Sequence, residues 1–279
     1  MSGRSDIRLL LADVDGTLVT RDKVLTEATK AAARDLAAAG IALALTSARP
    51  PRGMRMLIAP LNLEGVLAGF NGGLYVRPDL SVIERHAIDA ATAKTTVDLF
   101  LAEGLDVWVY TEKDWMVRKP NGPHVAREAW ILQFDAKVVA DFSDDDLAQA
   151  LKIVGVSDDR SRMAACEGKA QKELGGRASA TRSEPHFLDV TNPEANKGAV
   201  VLTLAKRMNI APKQVATIGD MPNDVMMFKK SGLSIAMGNA SNMVKAQASA
   251  VTDSNEDDGF AKAVRRFVLP PGASAGERS

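Results

Sequence analysis

The chain has 279 residues, 46% of them apolar and 25% charged, which is enough to bury a sizeable core and long for a single domain. Its 35 Lys and Arg residues balance 35 Asp and Glu residues, so no long-range field draws the molecule to nucleic acid or to an anionic membrane. The single cysteine, Cys166, excludes an intramolecular disulfide, and no apolar run reaches the roughly 18–20 residues of a membrane span.

In chain order, residues 7–14 form an apolar run that reads as a buried strand. It leads straight into Asp13 and Asp15, which does not fit a signal peptide, so a cytoplasmic protein is expected. A helix follows, capped by Thr26, carrying Ala28, Ala31, Ala32 and Leu36, and stopped at Gly40. A second strand covers 41–45 and ends in Thr46-Ser47-Ala48-Arg49. A helix over 54–59 and a third apolar run over 65–68, closed by Asn71-Gly72-Gly73, complete a strand–helix alternation typical of a parallel sheet with crossover helices. The character changes over 83–187, which holds Trp108, Trp115 and Trp130, a hairpin pattern over 105–119 and a strand over 153–156. This segment reads as an inserted second domain within a first domain of 1–82 and 188–279. Asn196-Lys197-Gly198 then opens a helix, and 215–218 is a buried strand ending in Gly219-Asp220-Met221-Pro222-Asn223-Asp224. Strands at 233–237 and 250–252 continue the alternation, and the stretch from Pro270 onward is expected to be disordered.

The polar clusters fall at the carboxyl ends of strands, where open α/β sheets gather their chemistry. Asp13 and Asp15, two residues apart, suit one ionised carboxylate and one carboxyl able to carry a proton, although Asp, Gly and Thr also make plain turns. Asp220 and Asp224 share a face at a helix start and, with no His or Cys nearby, suit a hard cation such as Mg²⁺; helix-dipole stabilisation is the alternative for either alone. Ser47 offers a hydroxyl and Lys197 a point charge at a helix start, both suited to an anion, against the blander readings of a helix cap and a solvated lysine. Together, carboxylates, one lysine and one hydroxyl suit phosphoryl transfer.

With these residues in order, the sequence resembles the haloacid dehalogenase (HAD) superfamily of aspartate-nucleophile phosphatases, in its Cof-type branch. Asp13-Val14-Asp15-Gly16-Thr17, Ser47-Ala48-Arg49, Lys197-Gly198 and Gly219-Asp220 with Asn223-Asp224 match its four motifs. Asn71-Gly72-Gly73, residues 236–240 and residues 255–259 resemble further signatures of the branch. The resemblance implies an α/β fold: a Rossmann-like parallel-sheet core with an inserted α+β cap of the C2B type. It implies a Mg²⁺-dependent phosphatase acting on a small phosphorylated metabolite, such as a sugar phosphate, through an aspartyl-phosphate. Asp13 is then the nucleophile and Asp15 the general acid/base. Asp13, the Asp15 backbone carbonyl, Asp220 and Asp224 are the metal ligands, and Ser47 and Lys197 hold the phosphoryl oxygens. Gly16, Ala48, Arg49, Asn71, Gly72, Asn196 and Asn223 are the further residues implied around phosphate and substrate. Thr46 is a rival for the role given to Ser47, which rests on the spacing to Arg49. A sugar phosphomutase and a non-catalytic phospho-ligand-binding module are the alternatives. No nucleic acid or membrane partner is expected of a monomer or homodimer of this kind.

Overall fold

The computed structural model describes residues 6–270, so the tail expected to be disordered lies, from residue 271 on, outside the described residues. The chain divides into two compact units, Met1–Val82 with Asn196–Ser279, and Ile83–Ala195. In chain order the elements are β1 (Leu9–Asp13), α1 (Glu27–Ala38), β2 (Ala42–Thr46), α2 (Arg55–Ile58), β3 (Leu67–Gly69), β4 (Leu74–Val76) and β5 (Val82–Arg85). The second unit contributes α3 (Ala90–Ala102), β6 (Asp106–Tyr110), β7 (Trp115–Val117), α4 (Val125–Leu132), β8 (Lys137–Val138), α5 (Asp144–Ala148), β9 (Lys152–Val156), α6 (Arg160–Leu174), β10 (Ser179–Glu184) and β11 (Phe187–Thr191). The chain then returns through α7 (Lys197–Arg207), β12 (Val215–Gly219), α8 (Val225–Phe228), β13 (Leu233–Ala236), α9 (Asn242–Lys245), β14 (Ala250–Val251) and α10 (Gly259–Ala263). Among the described residues no helix is long and apolar enough to cross a membrane.

The first unit is organised by a sheet whose strands run in the order β14-β13-β12-β1-β2-β3-β4. It is parallel from β14 to β3, and β4 runs antiparallel to β3. Every residue of β1 and of β12 is buried, as expected of parallel strands covered on both faces, and this is why they read as unbroken apolar runs. The register pairs Leu9 to Asp13 with Ala42 to Thr46, so the last residues of β1 and β2 lie side by side. Thr26 caps α1 by accepting from the Thr29 N–H, as its sequence position predicts. The helix expected over 54–59 is a 3₁₀ turn at Pro51–Met54 running into the single turn of α2.

The second unit is built on a sheet in the order β10-β11-β9-β6-β7-β8. One face of it, with Val107, Val109, Ile153, Leu188 and Val190, packs with Ala93, Val97 and Phe100 of α3 and with Met163, Cys166 and Ala170 of α6. Trp108 and Trp115 are buried edge-to-face, centroids 5.2 Å apart, whereas Trp130 on α4 is exposed. The acidic run at α5 is a helix start: Ser143 and Asp146 bond each other's backbone in a capping box. The return to the first unit falls after Ala195, not after 187 as the sequence boundary had it. The physical reason is that β11 is hydrogen-bonded on both sides, to β9 and β10, inside the second sheet.

Cys166 is fully buried, and that burial, with Glu103 nearby, pushes its thiol up to about 11. At pH 8 the native protein should therefore resist iodoacetamide and react at this residue only once unfolded in urea, as mass spectrometry of the alkylated protein will show.

Candidate active site

Three segments distant in sequence meet at the carboxyl edge of the first sheet. Asp13 is the last residue of β1, and Asp220 follows the last residue of β12. Asp224 closes a 3₁₀ turn over Pro222–Asp224; its Oδ2 accepts from the backbone N–H groups of Asp220 and Met221, both at 2.8 Å. Lys197 is the first residue of α7, whose cap is Asn196, its side chain accepting from the Ala199 N–H at 2.9 Å. The Lys197 side chain is 1% exposed, and its Nζ donates to Asp13 Oδ1 at 2.6 Å and to Asp224 Oδ1 at 2.5 Å. Two glycines allow this crowding. Gly16 adopts a φ of +78°, and a Cβ there would sit 2.4 Å from Asp220 Oδ2. At Gly219 a Cβ would sit 2.4 Å from Asp224 Cγ.

The charges of this cluster are unbalanced. Carboxylate oxygens of Asp13, Asp220 and Asp224 lie within 4.8 Å of one another, faced by the one Lys197 ammonium. Burial pushes the Asp13 carboxyl well above the ordinary range despite Lys197, with Asp224 and Asp220 adding to the rise. Asp220 is pushed up to about 7, by burial first and then by Asp224. Burial works against the Lys197 ammonium, but Asp13 and Asp224 outweigh it and hold its pKa above the ordinary value. Three buried oxygen-donor groups with too little positive charge, and no nitrogen or sulfur donor among them, suit a hard divalent cation such as Mg²⁺.

Asp15 stands apart from this trio. Its carboxylate accepts from Arg49 Nε at 2.7 Å and Nη2 at 2.5 Å, and from Lys23 Nζ at 2.6 Å. Burial alone would raise its pKa, yet Arg49 and Lys23 together hold it below the usual carboxylate value. The Asp15 side chain is thus not one of the clustered carboxylates. Arg49, expected at the phosphate or substrate, instead grips Asp15, and its Nη1 donates to the Gly53 carbonyl at 3.2 Å. A planar guanidinium matches a carboxylate in two-point contact, which the sequence spacing alone does not reveal.

Ser47 is buried just past β2; its Oγ accepts from the Arg49 N–H at 3.1 Å, and its carbonyl accepts from the Asn71 N–H at 2.8 Å. Ala48 fills the position between them without a positive φ. Asn71, at a φ of 57°, meets Asn223, whose Nδ2 donates to Asn71 Oδ1 at 3.3 Å. Gly72, at a φ of +105°, lies where a Cβ would press on Val200 of α7, so backbone conformation and packing both call for glycine there. Several partners of the site went unassigned from sequence. Asn239 Nδ2 donates to Asp220 Oδ2 at 3.1 Å and to the Gly16 carbonyl at 3.0 Å, and its Oδ1 accepts from the Asn255 N–H at 3.1 Å. Asn255 Nδ2 in turn donates to the Val19 carbonyl at 2.9 Å. Thr17 donates to Asp220 Oδ1 at 3.4 Å. The runs at 236–240 and 255–259 stood out in the sequence but carried no role there.

The chain belongs to the family of haloacid dehalogenase-like hydrolases, whose model matches residues 10–264. It is 28% identical over 265 residues to the 5-amino-6-(5-phospho-D-ribitylamino)uracil phosphatase YcsE of Bacillus subtilis, covering 95% of this chain and 97% of that one. It is likewise 28% identical to a putative phosphatase of Haemophilus influenzae, over 91% of this chain and 95% of the other. Its fold superposes on the crystal structure of a haloacid dehalogenase-like hydrolase from Bacteroides thetaiotaomicron with a TM-score of 0.86 at 26% identity, covering 93% and 99% of the two chains. Proteins of this family generally use Mg²⁺, and the donor set at Asp13, Asp220 and Asp224 fits such an ion.

Breaking a buried ion pair by removing one partner costs about 3–5 kcal/mol. Lys197→Met should therefore lower unfolding free energy by about 3 kcal/mol in Mg²⁺-free buffer at pH 7.5, measured by urea denaturation. The loss should shrink at pH 5. There Asp220, pushed up to about 7, takes up a proton and relieves part of the uncompensated negative charge.

Proposed function

We propose that this protein is a Mg²⁺-dependent phosphatase that hydrolyses a small phosphorylated metabolite through an aspartyl-phosphate on Asp13. The observation that carries this reading is the Lys197 ammonium fixed between Asp13 and Asp224, with Asp220 close enough to share a cation. Asp13, Asp220 and the Asp15 backbone carbonyl would hold the Mg²⁺, with Asp224 as a fourth support that also anchors Lys197. When bound, the ion neutralises carboxylate charge and polarises the phosphoryl group.

The chain's own residues do the rest. An Asp13 oxygen attacks phosphorus, the bond from phosphorus to the leaving oxygen breaks, and Asp15 gives that oxygen its proton. A water then attacks the aspartyl-phosphate, Asp15 takes the water's proton, and the bond from Asp13 to phosphorus breaks to release inorganic phosphate. Lys197 and the Ser47 hydroxyl hold phosphoryl oxygens as negative charge moves onto them. The Arg49 and Lys23 contacts favour the ionised Asp15 of the second step, so both give way when Asp15 carries the proton for the first. The names of the relatives support a small organic phosphomonoester as substrate, and a ribityl-type phosphate is the first compound to try.

Release of inorganic phosphate from a panel of some tens of phosphorylated metabolites, with and without Mg²⁺, tests the reading. Activity should require the ion, and Asp13→Asn should fold normally while turnover falls by at least about a thousandfold. Wild-type turnover retained in Asp13→Asn would remove the nucleophile, and with it the mechanism. Mg²⁺ should also raise the thermal midpoint of the wild type, and Asp220→Asn should abolish most of that rise.

A further inference from the structure

In the first unit, the described residues include two buried side-chain atoms of the N and O kind that lack a hydrogen-bond partner, Thr46 Oγ1 and Asn223 Oδ1. Asn223 lies in the turn beside Asp224 and bonds Asn71 through its other amide atom. Thr46 is the last residue of β2, is 0% exposed, and stands in register with Asp13 on the adjacent strand. Residues paired across neighbouring parallel strands project to the same face of the sheet, so the Thr46 hydroxyl lies on the side of the nucleophilic carboxylate.

A buried hydroxyl without a partner is destabilising, and valine would fill the same space without it. The rest of the strand shows how readily apolar residues serve here: Ala42, Leu43, Ala44 and Leu45 precede Thr46. An unpaired hydroxyl at the end of an apolar strand, next to the residue that would bond phosphorus, has the character of a donor waiting for an acceptor that arrives with the ligand. Ser47, one residue on, already uses its oxygen to accept from the Arg49 N–H.

We propose that Thr46 supplies a second hydroxyl to the phosphoryl group, donating from Oγ1 to a phosphoryl oxygen beside the contact made by Ser47. Thr46 is then a partner of Ser47 and not its rival. The proposal rests on the phosphatase reading above for its ligand, a phosphoryl oxygen. Because the phosphoryl group is common to every substrate, the contribution is the same whatever the leaving group is.

The test compares Thr46→Val, which keeps shape and loses the hydroxyl, with Thr46→Ser, which keeps the hydroxyl. Three quantities are read: the affinity for orthophosphate with Mg²⁺ by calorimetry, kcat/KM on p-nitrophenyl phosphate and on the best metabolite, and the thermal midpoint. Thr46→Val should bind orthophosphate about tenfold more weakly and lose about a hundredfold in kcat/KM on both substrates. Its thermal midpoint should be unchanged or higher, since the unpaired hydroxyl is gone. Thr46→Ser should recover affinity and turnover. Affinity and kcat/KM of Thr46→Val within twofold of wild type would overturn the proposal, as would a lowered midpoint with no recovery in Thr46→Ser. Should Thr46→Val not fold, Thr46→Ala against Thr46→Ser reads the same contrast. If the wild type binds orthophosphate but hydrolyses nothing, the catalytic reading falls and Thr46 is judged by affinity alone; if it binds no orthophosphate, the proposal falls.

Discussion

One buried ammonium fixes the geometry of this site. Taking a lysine out of water costs several kcal/mol, and only close, charge-assisted bonds to carboxylates offset that. Lys197 makes two, so the start of α7, the end of β1 and the turn after β12 are held in one arrangement. The same contacts leave the site electrically divided. Asp13, Asp220 and Asp224 outnumber the lysine they share, while Asp15 is outnumbered by Arg49 and Lys23. A surplus of negative charge beside a surplus of positive charge is suited to a dication and a phosphoryl anion bound side by side.

The sheet explains how residues so far apart in sequence come together. In a parallel sheet all strands end at one edge, and β1 lies between β2 and β12, so the segments after these three strands must converge. The crossover helix α7 brings its N-terminus to the same edge, where free N–H groups and the helix dipole already favour anions. The close approach leaves no room for side chains at Gly16 and Gly219, since a Cβ at either would strike a carboxylate. Backbone and chemistry are therefore coupled: a change that relaxes the turn after β1 also moves Asp220.

Much of this was legible in the sequence, for identifiable reasons. The buried parallel strands announced themselves as unbroken apolar runs, and each polar cluster followed one, so Asp13, Ser47, Lys197 and Asp220 were visible as strand-end or helix-start residues. What was not legible depends on contacts between segments whose spacing carries no signal. Only the family motif that Arg49 matches suggests a place for it near phosphate or substrate; the fold brings it onto Asp15, 34 residues away. Asn239 and Asn255 sit in runs that stand out, but their partners are backbone carbonyls, one backbone N–H and one carboxylate oxygen, which no side-chain pattern encodes. The inserted unit ends later than composition suggests, because β11 is held in it by pairing with β9 and β10, which no local sequence pattern encodes.

The distribution of satisfied and unsatisfied groups separates frame from working surface. Asp224 uses one oxygen on Lys197 and the other on two backbone N–H groups. Asp220 accepts from Thr17 on one oxygen and Asn239 on the other, and Asn239, in the loop after β13, is itself tied to the Gly16 carbonyl after β1 and to Asn255. Such a frame has little freedom to rearrange, and catalysis by preorganised dipoles depends on not having to rearrange when charge develops. Against that background, the unpaired buried atoms at Thr46 and Asn223 are exceptions at the carboxyl edge of the sheet, where a ligand would be bound. Leaving a buried polar group unpaired is destabilising, and of these two atoms the Thr46 hydroxyl is the one able to donate, in register with Asp13 on the adjacent strand.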